Sequence, residues 1–177
     1  MENGRVKIRI DKAVITDANI LIDYMESGKK VISLFAESVE ALYVPLPVLK
    51  EVPKLGISEA KRLGITVLDT GMDILAEASR IKTGCSFNDN VCYLTAKNEG
   101  MFCATNDKRL RKICDAGDVE VLWGLQIMIY LVQEGKLTKK EAVDIAKKIG
   151  KINSNITPAL VKGFEVRIIA INEDASD

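Results

Sequence analysis

Apolar residues recur along this chain with two periods, and the alternation between them predicts its architecture. Short aliphatic and β-branched runs at 14–16, 41–44, 65–68, 101–104 and 119–122 have the length and composition of strands. The segments between them carry helical spacing. Ile20, Leu21 and Tyr24 share one face until Ser27-Gly28, Val31, Ile32, Leu34 and Phe35 mark a helix over 29–37, and Ile74, Leu75 and Ala78 line another over 72–81. Further helices are predicted over 58–63, from Ser86 to about residue 98 with Gly100 closing it, and over 108–114. Ser86 and Asp89 have the spacing of a capping box. Alternating strands and helices predict an α/β fold, a parallel β-sheet flanked by helices on both faces. Residues 6–10 alternate apolar and basic positions, which fits an edge strand or an N-terminal arm.

Two stretches depart from that rhythm. Pro45 and Pro47 bracket a turn, and Pro47 suits the first position of a short helix through Leu49, Lys50, Glu51 and Val52, which places Glu51 late in that helix. Beyond Trp123 the pattern turns wholly helical, over 125–134, 138–149 and a segment after Thr157-Pro158. Thr138 and Glu141 form a second capping-box pattern, with Gly150 expected just past the helix end. Residues 125–132 are apolar nearly all round, so this helix is expected either inside the core or shared with a second copy of the chain. The expected organisation is an α/β domain over 1–123 and a C-terminal helical extension over 124–177, packed on the same core or on a second subunit.

Composition narrows the chemistry. At 177 residues and 47% hydrophobic content the chain can bury one ordinary core. Lys+Arg and Asp+Glu each number 25, so no global basic field marks a nucleic-acid binder and any such contact must be local. There is no histidine, which removes imidazole bases, Ser-His-Asp triads and histidine metal sites. Cys85, Cys92, Cys103 and Cys114 lack paired CxxC spacing and read as reduced, mostly buried thiols of a cytoplasmic protein. Nothing at the N-terminus resembles a signal peptide, and no apolar run approaches the roughly 20 residues that span a bilayer.

Carboxylates are left to carry the chemistry. Asp17 follows the first strand and Asp107 the fourth, Asp89 opens a helix, and Glu51 follows the second strand. Each has an ordinary structural explanation, as a helix cap or a solvated surface acid. The carboxyl ends of parallel strands are nevertheless where such sheets bind ligands. Four carboxylates in one cleft repel one another unless a cation neutralises them, and an oxygen-only donor set favours Mg²⁺ or Mn²⁺ over zinc. Ions of this type activate water and stabilise the leaving oxygen in phosphodiester hydrolysis.

At these positions the sequence resembles the PIN-domain family of metal-dependent ribonucleases. The resemblance runs through Thr16-Asp17-Ala18-Asn19-Ile20-Leu21-Ile22-Asp23, Val48-Leu49-Lys50-Glu51-Val52, Ser86-Phe87-Asn88-Asp89 and Ala104-Thr105-Asn106-Asp107-Lys108-Arg109-Leu110-Arg111, and covers roughly residues 13–121. It implies a three-layer parallel fold, an acidic metal cluster of Asp17, Glu51, Asp89 and Asp107, and supporting polar residues Asn19 and Thr105. The implied activity is endonucleolytic cleavage of single-stranded or structured RNA with Mg²⁺ or Mn²⁺. Many relatives of VapC type are dimeric toxins held by a small antitoxin, so a homodimer and an antitoxin partner are expectations of the same kind. The helical tail is longer than in a compact toxin, which shifts weight toward an RNA-processing role.

Lys108, Arg109, Arg111 and Lys112 adjoin Asp107 and are candidate phosphate contacts, as are Lys139, Lys140, Lys147, Lys148 and Lys151 in the tail. The plain alternative is that these are solvated helix faces. A non-catalytic PIN-like RNA-binding or scaffold protein is the main rival reading, because fold does not fix function. A phosphatase or receiver using Asp17 is disfavoured by Asn19, where a phosphatase carries a second aspartate. No G-x-G-x-x-G or P-loop string supports a nucleotide cofactor.

Overall fold

A computed structural model of the chain describes residues 7–171. Five short strands, β1 (Val14–Thr16), β2 (Leu42–Pro45), β3 (Ile65–Leu68), β4 (Phe102–Ala104) and β5 (Val121–Leu122), form one sheet in the order β3-β2-β1-β4-β5, and every pairing is parallel. The helices that flank it are α1 (Ala18–Ser27), α2 (Lys30–Ala36), α3 (Leu46–Leu49), α4 (Ile57–Arg62), α5 (Met72–Arg80), α6 (Phe87–Glu99), α7 (Lys108–Ala116), α8 (Gly124–Gln133), α9 (Lys139–Ile152) and α10 (Pro158–Ile169). This is the parallel α/β architecture that the sequence pattern predicts. From β1 the chain builds outward through β2 and β3, then returns to add β4 and β5 on the other side. The strand order therefore reverses between β1 and β4, the switch point at which such sheets open a crevice at their carboxyl ends.

Burial on both faces explains the strand composition. Val14, Ile15 and Thr16 of β1 and Phe102, Cys103 and Ala104 of β4 are all buried, as strands covered by helices on both sides require. Helices α1, α2, α8, α9 and α10 pack on one another, and α6 packs on α5, α7 and β1. Three of the four cysteines, Cys92, Cys103 and Cys114, are buried free thiols, and Cys85 is half-buried.

Helix α8 settles where its all-round apolar surface goes. Ile127, Met128, Ile129, Leu131 and Val132 join the same hydrophobic cluster as Val14, Ile15, Leu21 and Phe35, so the tail helices share the core of the strands. Two hydroxyls anchor α8 as well, Tyr24 donating to the Gly124 carbonyl and Tyr130 to the Ser38 carbonyl at 2.8 Å. The N-terminal segment is an arm and not an edge strand over residues 7–10, while Val6 lies outside the described residues. It lies against α8, with the Ile8 N–H donating to Gln133 Oε1 at 3.1 Å and Lys7 paired with Glu134 at 3.2 Å.

Two helix ends differ from expectation. Helix α3 stops at Leu49, so Glu51 lies in the turn beyond it. The Pro53 ring restricts Val52 away from helical geometry, and the chain turns through Lys54 at a positive φ of 61°. Helix α9 runs through Gly150 to Ile152 instead of ending there. Gly150 serves packing: a Cβ at this position would stand 3.0 Å from Val161 Cγ2, so the missing side chain lets α10 approach α9 closely.

Leu131 is fully buried in α8. Leu131→Ala is expected to lower unfolding free energy by about 2–5 kcal/mol, read as a reduced urea midpoint at unchanged slope.

Candidate functional site

Asp17 is the residue at which β1 becomes α1. Its backbone is extended (φ −76°, ψ 171°), and its Oδ1 accepts from the Ile20 N–H at 2.9 Å, which satisfies one of the orphan donors that open the helix. The other oxygen, Oδ2, accepts from the Thr105 hydroxyl, and the Asp17 N–H donates to the Ala104 carbonyl at 3.1 Å. Only 3% of the residue is exposed. Burial lifts its carboxyl from the ordinary 3.8 to about 7; the bonds from Thr105 and Ile20 oppose that lift, and the charges of Asp89 and Asp107 add to it.

The far side of the crevice is built by Thr105, Asn106 and Asp107, directly after β4. The buried Thr105 hydroxyl bridges two acids, since it donates to Asp17 and accepts from the Asp107 N–H at 3.0 Å. Asp107 caps α7, with Oδ1 accepting from the Arg109 and Leu110 N–H groups, each at 2.8 Å. Asp89 closes the capping box of α6, its Oδ2 accepting from the Ser86 N–H at 3.1 Å and the Ser86 hydroxyl at 2.8 Å. The structural roles anticipated for these acids are therefore real. They also gather the acids, because each sits at a helix N-terminus whose partial positive charge favours a carboxylate.

Asp89 and Asp107 both stand within electrostatic reach of Asp17, since both act on its carboxyl. Glu51 is exposed in the turn after α3, and its charge acts, with those of Asp17 and Asp89, on the buried Cys92 thiol, whose pKa burial first of all drives up. Asn19 is exposed on the first turn of α1, and its side chain makes no hydrogen bond to any of the four acids. Lys108 is exposed, Arg109 donates to the Gly84 carbonyl at 3.3 Å, and the Arg111 guanidinium lies over the Trp123 ring at 3.6 Å. None of the four acids forms an ion pair with a described lysine or arginine.

Among the described residues no three carboxylates or thiols stand close enough to hold one ion together. The donor chemistry still fits a hard cation. Asp89 Oδ1 and Asp107 Oδ2 accept no hydrogen bond from described residues, and the buried Asp17 carboxyl, bonded by Thr105 and Ile20, has no described lysine or arginine paired with it. Mg²⁺ commonly binds through one or two carboxylates, with waters and substrate phosphate completing its shell, so a tight three-carboxylate cage is not needed. The internal void lined by Thr16, Ile20, Tyr24, Phe35, Ala104 and Ile127 is apolar and touches none of the four acids.

Sequence reasoning passed over a buried carboxylate beside the site. Asp23, 5% exposed, accepts from Asn153 Nδ2 at 2.9 and 3.2 Å; burial pulls its pKa up, and the Asn153 bond and the polar Asn106 side chain oppose that pull. Asn106 in turn accepts from the Gly124 N–H at 2.9 Å. The signal was present: Asp23 lies three residues after Ile20 and one before Tyr24, on the apolar side of its helix. No family model and no curated protein matches the chain. Among the described residues no helix is long and apolar enough to cross a membrane.

The raised pKa of Asp17 makes stability depend on pH with a definite sign. Its folded-state value of about 7 exceeds the ordinary 3.8, so the linked stability is fully present below the lower value and is lost as pH rises through the upper one. A lift of this size corresponds to on the order of 4 kcal/mol. In EDTA, urea unfolding is expected to show wild type losing more stability than Asp17→Asn between about pH 4 and pH 8. Equal slopes for the two proteins would show that Asp17 carries no such strain.

Proposed function

We propose that this protein is a metal-dependent endoribonuclease of PIN type, hydrolysing phosphodiester bonds of single-stranded or structured RNA. The observation that carries this reading is the gathering of Asp17, Asp89 and Asp107 at the β1–β4 switch point, where a buried carboxylate meets two more and no lysine or arginine pairs with them. Helix capping explains why each acid stands where it does, but it does not offset the repulsion among them. A cation explains the arrangement, and the oxygen-only donors select a hard one.

Asp17, Asp89 and Asp107 would hold the ion, with Glu51 at the margin of the cleft. When bound, Mg²⁺ or Mn²⁺ supplies a low-pKa water and stabilises charge on the leaving oxygen. Thr105 fixes the rotamer of Asp17 and draws the Asp107 backbone beside it, so it positions two acids at once. Lys108 is free to meet phosphate, whereas Arg109 is partly committed to the Gly84 carbonyl. In this reading the protein works in the cytoplasm as a homodimer, either in RNA processing or as a toxin restrained by a small antitoxin. A non-catalytic RNA-binding or scaffold role has one observation in its favour, the absence among the described residues of a three-carboxylate cage.

Purified protein incubated with a mixed single-stranded RNA pool is expected to cleave it with Mg²⁺ or Mn²⁺ and not with EDTA. Asp17→Asn and Asp107→Asn should each lower the rate by at least about 100-fold. Thr105→Val, which keeps the shape and removes the bridging hydroxyl, should cost about 10- to 100-fold. Wild type that stays inert in both metals, while calorimetry detects no divalent binding, would transfer the case to the scaffold reading.

A further inference from the structure

Exposed aromatic side chains concentrate beside the acids. Of the Phe, Tyr and Trp side chains described, Phe35, Phe102, Phe164, Tyr24 and Tyr130 are buried and Tyr43 and Tyr93 are half-buried. Phe87 and Trp123 are the exposed ones, at 43% and 40%. Phe87 is the first residue of α6, two positions before Asp89. Trp123 is pinned against the Asp107 side of the crevice: the Leu122 carbonyl before it accepts from the Thr105 N–H at 3.0 Å, and the Gly124 N–H after it donates to Asn106 Oδ1 at 2.9 Å. One exposed aromatic thus stands on the first turn of α6, the helix that carries Asp89, and the other beside the segment that carries Asp107.

A second, independent feature points to a nucleotide. Arg111 sits over the Trp123 ring, with its guanidinium carbon 3.6 Å from the ring centroid. It is half-buried, yet it makes no hydrogen bond or ion pair with a described residue, and its Nε is buried with no partner. The buried Nε is out of reach of a ligand, so an oxyanion would meet the terminal nitrogens, which pair with no described carboxylate, and the adjacent ring offers a π-face. A planar base attached to a phosphate satisfies both.

We propose that Trp123, with Arg111 fixed against it, and Phe87 are stacking platforms that take unpaired bases beside the acidic crevice. The inference rests on the nuclease reading for its choice of RNA, and its test does not depend on cleavage. Stacking needs a base splayed out of a helix, so these platforms select single-stranded segments. Every base has a π-face, which makes the selection tolerant of sequence. Arg111 meets the phosphate of the stacked nucleotide, so binding weakens as salt rises.

The chain contains 1 tryptophan, so its fluorescence reports on the proposed site without labelling. Wild-type protein is titrated in Ca²⁺ with a short single-stranded RNA, with the same strand carrying abasic positions, and with a fully paired RNA duplex. Anisotropy of end-labelled strands gives affinity in parallel. The single strand is expected to quench Trp123, whereas the abasic strand and the duplex bind more weakly and leave the emission unchanged. Trp123→Leu and Phe87→Ala, each checked for folding by circular dichroism, should weaken single-strand binding by about 5- to 150-fold, the range that loss of one base stack carries. Binding without a change in emission, equal quenching by the abasic strand, or no binding of RNA at all would overturn the proposal. Quenching by a strand that Mg²⁺ and Mn²⁺ never cause to be cut would remove the nuclease reading and leave the stacking site standing. Cleavage by a protein whose tryptophan stays silent would do the reverse.

Discussion

The parallel pairing of β1 with β4, in a register that sets Thr16 beside Ala104, is the constraint on which the site depends. One residue beyond that pair, Asp17 and Thr105 become neighbours, and the hydroxyl of one meets the carboxylate of the other. A register slip by one residue would turn every β4 side chain to the opposite face, and Thr105 with them. The packing of Val14, Ile15, Phe102 and Cys103 into a core on both faces of the sheet prevents that slip. Hydrophobic burial thus holds a polar arrangement that would not hold itself.

Within that frame, helix capping and mutual repulsion pull the acids in opposite directions. Asp17, Asp89 and Asp107 each accept hydrogen bonds that open a helix, a role worth about 1 kcal/mol in an ordinary cap. Capping fixes them where the N-termini of α1, α6 and α7 point. For Asp17 the cost of burial outweighs its two hydrogen bonds, which is why its carboxyl titrates far above the usual carboxylate range. A folded protein that keeps such a group near two more acids departs from what stability alone would select, and functional sites are where such departures cluster.

The tail helices are tied to this arrangement through polar contacts as well as through the core. Asn153 at the end of α9 donates to Asp23 of α1, and Asn106, after β4, accepts from the first N–H of α8. Gly124 is glycine for a local reason: a Cβ there would stand 2.7 Å from Asn106 Nδ2 and 2.8 Å from Ile20 Cδ1. The segment between Thr105 and Asp107 is thereby held from the β1 side by Asp17 and from α8 by Gly124. A crevice built on helix ends and strand ends held this way is preorganised for its ligand.

Local chemistry was legible in the chain. Strand and helix periods, the capping boxes at Ser86 and Thr138, and the placing of Asp17 and Asp107 just after strands all follow from spacing and side-chain type, because they are set by neighbours a few residues away. What depends on distant residues was not. The strand order that brings β4 beside β1 and the use of Gly150 as a contact point and not a stop are settled by packing across the core. The same holds for Arg111, which a sequence shows only as one more cation in a basic run and which the fold lays against Trp123. Spacing along the chain determines which groups can start or stop an element. Which of them meet, and how far water is kept from them, is decided only when the elements close on one another.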